Sequence, residues 1–512
     1  MQQIPKSVQF CHDIFELNLP CGKSMINLLL SLSSSDSKSV VGLSDSALFE
    51  HSYSSISQCI SSMSCDMTDY RFILSELQSV FMKYYPKTDI YSFQTDTTPI
   101  TKPFSAKLAE RQYVNVPNNV IYGNKSLDIG YNYSYINLGY TPSEDGSRWS
   151  LPLSIERVLP DSDAITTALA QISCLMTDEA LPFGNAKQIT STADSGYFTP
   201  RYLSQLIEKY GNVIPICRSR HGSKVWQKAE VLPRIEGQKG TNSVYAKKTH
   251  YLIAHSDVKK YTDNKTNKEI LKSRDSVYDI PPTQTLDYES VTSRGRSIIV
   301  RITRWDNMMI RSKKGNNMKD KPFNLFGSQV IDAQTGELVF QKPMFIGVFG
   351  QLKDNIDSLQ AHQAYRNRYD IEGHNRFSSQ QLLLNGFQTP NVSNLDNWSL
   401  VVAMAYWLLF VAADEVDLVL KPWERNLPKN KAILNAQKEG KTEKTIPKKS
   451  IAQTKKGAFL LFLTFDRKAF SPKSVKNGKG RKVGTKIAQR PNQKVVKKQN
   501  KSNFANKTQN NE

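Results

Sequence analysis

Residues Ala364–Phe377 read AYRNRYDIEGHNRF and place Tyr365, Arg368 and Glu372 three and four residues apart. In an α-helix, which turns about 100° per residue, Arg368 and Glu372 fall roughly 60° and 20° from Tyr365, so one face of one helix would carry all three. A carboxylate beside a phosphate-sized cation and a phenol suits a site that cuts phosphodiesters. Taken alone, the pattern ordinarily means a solvated helix face. Asp370, roughly 140° around the helix from Tyr365, is the neighbouring acid that this geometry sets aside.

Two upstream segments supply further acids. IYSFQTDTTPI (Ile90–Ile100) is a β-branched and aromatic run that ends at Asp96 and a Thr-Thr-Pro break, so it reads as a strand finishing at an acid. In KQITSTADSGYFTPRYL (Lys187–Leu203), a short strand ends at Asp194, and Thr199-Pro200 opens a helix, with proline in its first turn. A single aspartate at a strand end is ordinarily a turn former or a helix cap. Two of them, with a third acid on a later helix, form a pattern.

These residues resemble the DDE transposases of bacterial insertion sequences, in the branch marked by Tyr-x2-Arg-x3-Glu-x6-Lys around the third acid. Tyr365, Arg368 and Glu372 match that spacing, Asp96-Thr-Thr resembles the first-acid motif, and Asp194-Ser-x-Tyr197 resembles the second. The stretch Phe377–Val401, FSSQQLLLNGFQTPNVSNLDNWSLV, is similar to the segment after the third acid in that family. One position departs from it: Ser379 stands where the motif has lysine. Position 379 lies roughly 40° from Tyr365 on the assumed helix and Arg376 about 20°, so Arg376 is the candidate to take over the phosphate contact.

The order of predicted elements agrees with the resemblance. Residues 1–85 look helical, with Ser-rich breaks, and in similar transposases this region binds the terminal repeats. From 86 to 221 the pattern gives three strands, an Ala- and Leu-rich helix at Ala164–Met176, the strand before Asp194, the helix Arg201–Tyr210 and the strand Val213–Arg220. That is the order of an α/β, ribonuclease-H-like core. Residues 222–345, rich in strand patterns, lysine and arginine, read as a β-rich insertion, and 346–420 as the second part of the core with the third acid. Trp398–Ala413 is a 16-residue apolar run, short for a membrane span, and reads as a buried core helix.

The net charge of +21 is concentrated at one end. Residues 421–512 hold 25 Lys and Arg against 5 Asp and Glu, whereas the first 420 hold 43 against 42. Such a basic tail, poor in apolar residues, is expected to be largely disordered alone and to pair with nucleic-acid phosphates. Its GKGRKVG run (Gly478–Gly484) is suited to tracking a backbone, and one apolar island, GAFLLFLTF (Gly457–Phe465), is expected to dock as a strand. Arg218 and Arg220 alternate with Cys217 and Ser219, so both should point one way, towards DNA or a solvated edge. Trp305 reads as a core residue rather than a base-stacking one. The six cysteines show no CxxC pair, the histidines no HxxxH pair, and MQQIPKSVQF no signal peptide. Zinc binding and a secreted disulfide framework are therefore excluded, and a cytoplasmic protein without a membrane span is expected.

The resemblance implies a function. Asp96, Asp194 and Glu372 would be catalytic and would hold two Mg²⁺ ions, with Mn²⁺ as a substitute, since hard cations prefer oxygen ligands. Transposon-end DNA would be hydrolysed, and the freed 3′-hydroxyl would attack target DNA. Arg368, Tyr365, Arg376, Arg218 and Arg220 would bind DNA. The partners would be double-stranded DNA, both terminal inverted repeats and target, and a second copy of the chain on the paired ends. The alternative is a catalytically inactive, transposase-derived DNA-binding protein, which Ser379 favours.

Overall fold

The computed structural model describes residues 4–116, 127–141, 147–229, 243–262, 269–292, 295–313, 315–439, 448–465 and 491–496. It is a mixed α/β protein. The chain begins with four helices, α1 (Lys6–Glu16), α2 (Gly22–Ser34), α3 (Tyr53–Met63) and α4 (Met67–Tyr84). Strands β1 (Ile90–Thr101), β2 (Gln112–Asn115), β3 (Leu127–Tyr140) and β4 (Trp149–Arg157) follow, then α5 (Ala164–Thr177), β5 (Gln188–Ala193), α6 (Pro200–Lys209) and β6 (Val213–Arg218). A strand-rich stretch holds β7 (Lys224–Gln227), β8 (His250–Tyr251), β9 (Asp257–Thr262), β10 (Glu269–Ser276), β11 (Gln284–Val291), β12 (Ser297–Met309), β13 (Phe323–Asp332) and β14 (Met344–Val348). The remaining helices are α7 (Ser358–Arg368), α8 (Asp370–Gln381), α9 (Val392–Ala412), α10 (Pro428–Lys438) and α11 (Ile451–Leu463).

The chain divides into two compact units. Unit 1 comprises Met1–Lys87, Thr97–Leu181 and Asp370–Glu512, and unit 2 comprises Thr88–Asp96 and Pro182–Tyr369. The five segments read from the sequence distribute over these units. Residues 1–85 and the tail belong to unit 1, residues 222–345 to unit 2, and each of the two core segments contributes to both.

Unit 1 is organised by α9, the apolar run, which packs against α1 to α4, α11 and β4. By length and composition this helix could cross a membrane, but its apolar window is wholly buried inside the protein. Its aromatics are fixed in the core: Phe81 stacks on Trp407 at 4.9 Å, and Trp407 Nε1 donates to the Pro152 carbonyl at 2.7 Å. β3 pairs antiparallel with β4 and, at its start, with β2. Where β3 begins, the Lys102 N–H donates to the Ile129 carbonyl at 2.8 Å. Here a Cβ on Gly130 would sit 2.2 Å from the Ile100 carbonyl oxygen, so this approach of β3 to β1 requires glycine.

The island Gly457–Phe465 is a helix and not the expected strand. It forms most of α11, which Ser450 starts by accepting from the Gln453 N–H while Gln453 returns a bond to the Ser450 N–H. Helix α10 and the segment 491–496 are also ordered on unit 1, so order in the basic tail extends beyond the island; Gln493 N–H donates to Ala106 O, and Val496 N–H to Arg111 O. The run Gly478–Gly484 lies outside the described residues.

Unit 2 is built on three parallel neighbours: the start of β1, β5 and β6. Beyond β6 come β14, β13 and β12, each antiparallel to the last, with β11 on the far edge of β12. Helix α7 packs on this sheet. It opens at Asp357, whose side chain accepts from the Gln360 N–H in a capping box. Its buried residues, Ser358, Ala361, His362, Tyr365 and Arg368, recur at helical spacing, and Tyr365 joins Ile214, Ile302, Phe326 and Val348 in one apolar cluster. Trp305 is buried, with Nε1 donating to the Ile280 carbonyl at 3.0 Å, in keeping with a core role.

Candidate active site

Two of the three candidate acids lie in unit 2. β1 and β5 pair in parallel up to Thr95 and Ala193, and Asp96 and Asp194 are the next residue of each chain. Both acids therefore leave the pairing at the same level of the sheet, but β1 does not finish at Asp96 as expected: it continues through the Thr-Thr-Pro segment to Thr101, while β5 ends at Ala193. Both are partly exposed. Asp194 Oδ1 also accepts from the Gly196 N–H at 2.8 Å, which turns the chain sharply after the acid. The Thr199 hydroxyl and Pro200 then start α6, as the sequence indicated.

Cations and a phenol from neighbouring elements close on the pair. Arg368, at the end of α7, places Nη1 3.7 Å from Asp96 Oδ1. Its guanidinium lies 5.7 Å from the Tyr365 ring and 5.3 Å from that of Tyr369. The strand anchors that helix end: Gln94 Nε2 donates to the Asn367 carbonyl at 2.9 Å. On the other flank, β6 pairs Cys217 with Ala193, so Arg218 follows beside Asp194. Burial pushes the Cys217 thiol up, the Asp194 carboxylate adds to that effect, and Arg368 opposes it. Burial likewise pushes the Tyr365 phenol up to about 12, opposed by Arg368 and, more weakly, by Arg218. Asp96, Asp194, Tyr365, Arg368 and Arg218 thus form one electrostatic neighbourhood. Arg218 and Arg220 are exposed while Cys217 and Ser219 are buried, so the two arginines do share a side.

The assumption of one helix carrying Tyr365, Arg368 and Glu372 on one face is corrected. α7 ends at Arg368, and Tyr369, its C-cap, bonds back to the Arg366 carbonyl at 3.1 Å instead of continuing the four-residue ladder. α8 starts at Asp370, in unit 1. The 100° rule therefore holds for Tyr365 and Arg368 but does not extend to Glu372, Arg376 or Ser379. Within unit 1, Glu372 and Arg376 are exposed on α8, whereas Ile371, His374, Asn375 and Ser378 are buried. Asp370 is engaged with Arg148 at 3.1 Å.

Unit 1 also holds α8 in a way that sequence reasoning missed. Asn375 Nδ2 donates to Thr98 Oγ1, two residues beyond Asp96, and Asn375 Oδ1 lies 3.1 Å from His374 Nδ1. The His374 ring packs against Tyr135 and Tyr406. No local sequence signal marks this bond, which joins the second threonine of Asp96-Thr-Thr to an amide three residues after Glu372.

Magnesium is bound in proteins through one or two carboxylates together with substrate phosphates rather than by an all-protein cage. The paired, partly exposed Asp96 and Asp194 fit that donor set. Among the described residues no group of three or more His, Cys, Asp or Glu side chains is gathered closely enough to hold a metal.

No protein-family model matches the chain, and no curated protein matches it. Among solved structures it is similar to the piggyBac transposase of a cryo-EM synaptic complex with hairpin DNA. The TM-score is 0.34 and the identity 9%, over 89% of this chain and 70% of that one.

Proposed function

We propose that this protein is a DDE transposase, cutting DNA at transposon ends with Mg²⁺ and transferring the 3′-hydroxyl into target DNA. The observation that carries the reading is that Asp96 and Asp194 each follow the last paired residues of parallel β1 and β5, with Arg368 at 3.7 Å from Asp96. Two negative charges held together need a cation, and a guanidinium fork beside them is suited to a phosphate. Glu372 is given the third carboxylate on the Tyr-x2-Arg-x3-Glu spacing alone. The strand order supports a ribonuclease-H-like core: β4 and β3 lead to β1 in unit 1, and β1 leads to parallel β5 and β6 in unit 2.

Asp96 and Asp194 would hold the metal, which when bound supplies charge neutralisation and an activated oxygen nucleophile. Arg368 would bind the phosphate next to the cut. Tyr365, packed beneath it, keeps the guanidinium in place and has a phenol that stays protonated at neutral pH. Arg218 and Arg220 would hold the DNA strand on the Asp194 side, and Arg376 a phosphate beyond Glu372. The DNA partners are the terminal repeats and target, with two copies of the chain on paired ends.

The test is Mg²⁺-dependent cleavage of duplexes taken from the DNA flanking the reading frame, with the parent and with Asp96→Ala, Asp194→Ala, Glu372→Ala and Asp370→Ala. Loss of cutting is expected in the first three and retention in the last. A first-three variant that cuts at the parent's rate removes that acid from the site. Ser379 keeps a second reading in view, an inactive DNA-binding relative; intact binding of end DNA with no cutting by the parent would establish it.

A further inference from the structure

Unit 2 carries a two-stranded ribbon whose faces differ in charge. β9 and β10 pair antiparallel, with Asp257 opposite Arg274, Lys259 opposite Lys272, and Lys260 opposite Leu271. Opposed residues share a face, and successive residues alternate between faces. One face therefore presents Lys259, Lys272 and Arg274 with a single carboxylate, Asp257. The other presents Glu269 and Asp275 with a single cation, Lys260. The one carboxylate on the cationic face is already committed, because Asp257 Oδ1 accepts from Arg274 Nε at 2.6 Å and this bond holds its carboxyl below the usual range.

Lys259 and Lys272 are exposed and directly opposed, a like-charge pairing that weakens a ladder. A phosphate bound at each lysine relieves that repulsion. The cationic face continues towards the acids. A Cβ on Gly222 would lie 3.5 Å from Arg274 Nη1, so the turn after β6 abuts the ribbon. That turn contains His221 and follows Arg218 and Arg220, and Arg218 stands beside Asp194.

We infer that the Lys259–Lys272 face of this ribbon is a DNA-backbone contact, with the two opposed lysines gripping duplex phosphates outside the candidate active site. This rests on the reading of the protein as a DNA-processing enzyme. The paired segment of six residues spans about 20 Å, and a two-stranded ribbon matches the width of a B-DNA major groove. Contacts of this kind go to phosphates, so they add affinity and register without reading sequence.

The test uses the full chain and a duplex of arbitrary sequence, with binding measured across a salt series. The double variant Lys259→Gln/Lys272→Gln is expected to lower the slope of log K against log salt by about 2, close to one for each phosphate no longer neutralised. Lys260→Gln, on the opposite face, is the control and should leave the slope as in the parent. In the parent, the His221 imidazole is held below its usual range by burial and then by Lys342, Arg274 and Lys259, with Asp257 acting against them. Its titration midpoint should rise when DNA is added, and should rise less in the double variant. A double variant with the parent's slope overturns the proposal, as does an equal loss in Lys260→Gln or a parent that binds acidic lipid vesicles and not duplex. Cleavage is measured on the same proteins. A slope change with no cutting by the parent supports the ribbon and refutes the enzyme reading, whereas intact cutting with an unchanged slope refutes the ribbon alone.

Discussion

Arg368 Nη1 stands 3.7 Å from Asp96 Oδ1, within ion-pair range but beyond a good hydrogen bond. The guanidinium side chain is 6% exposed and the carboxylate 20%, so water screens this pair weakly. Its spacing leaves the fork able to turn towards a phosphate without first breaking a tight bidentate pair.

Arg368→Ala leaves Asp96 beside Asp194 without that cation and removes the packing on Tyr365 and Tyr369. A loss of about 2–3 kcal/mol in urea unfolding is expected, with a severe loss of DNA cleavage. Arg368→Lys should recover part of the stability and little of the cleavage, since a point charge cannot replace the fork. Equal unfolding midpoints for Arg368→Ala and the parent would show that the pairing contributes nothing.

The two adjacent carboxylates repel when no metal is present, so the site should cost stability. Asp194→Asn removes one charge, and its amide oxygen can still accept from the Gly196 N–H. In EDTA this variant is expected to be more stable than the parent by about 1 kcal/mol, read as a higher Tm. Added Mg²⁺ should raise the Tm of the parent and have little effect on the variant. An equal Mg²⁺ response in both would place metal binding elsewhere.

Much of this arrangement was legible locally, and the rest depended on pairing and packing. The end of β5 before Asp194 could be read because the alternating run stops there, but β1 runs on through Asp96 and the Thr-Thr-Pro segment to Thr101, and the common level of the two acids comes from the parallel register of Thr95 with Ala193, which leaves no local mark. The break at Tyr369 has no proline or glycine to announce it; tyrosine is compatible with a helix, and the tightened Tyr369–Arg366 turn leaves no mark in the local sequence. The misread island Gly457–Phe465 is an apolar run that periodicity cannot assign to helix or strand. The deciding signal lay just upstream, in the Ser450-x-x-Gln453 capping box. The ribbon was hidden because its strands lie in a Lys-rich stretch and bury almost nothing, so no hydrophobic alternation betrays them.

Acid should weaken both units through buried imidazoles. Burial pushes His374, in unit 1, and His362, in unit 2, down to about 4 from the ordinary 6.5. In the unfolded chain each takes up a proton as pH falls below 6.5, while in the folded protein each remains neutral until about 4. The unfolded state therefore binds more protons in that window, so stability falls as pH falls, by at most about 3 kcal/mol for His374. Urea unfolding at a series of pH values should show this slope between pH 6.5 and 4. His374→Gln should flatten it relative to the parent, and an unchanged slope would mean that the ring is hydrated.

The docking of α11 on unit 1 depends on one glycine. A Cβ on Gly457 would sit 2.4 Å from the Asp417 carbonyl oxygen and 3.0 Å from Val416 Cβ. The first contact is with backbone, which cannot rotate away as a side-chain tip would. Helix propensity alone favours alanine over glycine by about 1 kcal/mol, so Gly457→Ala would stabilise a helix that lay free in solvent. Against the 416–417 backbone the overpacking cost of about 1–3 kcal/mol should dominate and force α11 outward. The expected outcome is a lower Tm and faster proteolysis within residues 451–463. A raised Tm would mean that propensity prevails and that α11 does not pack closely in solution.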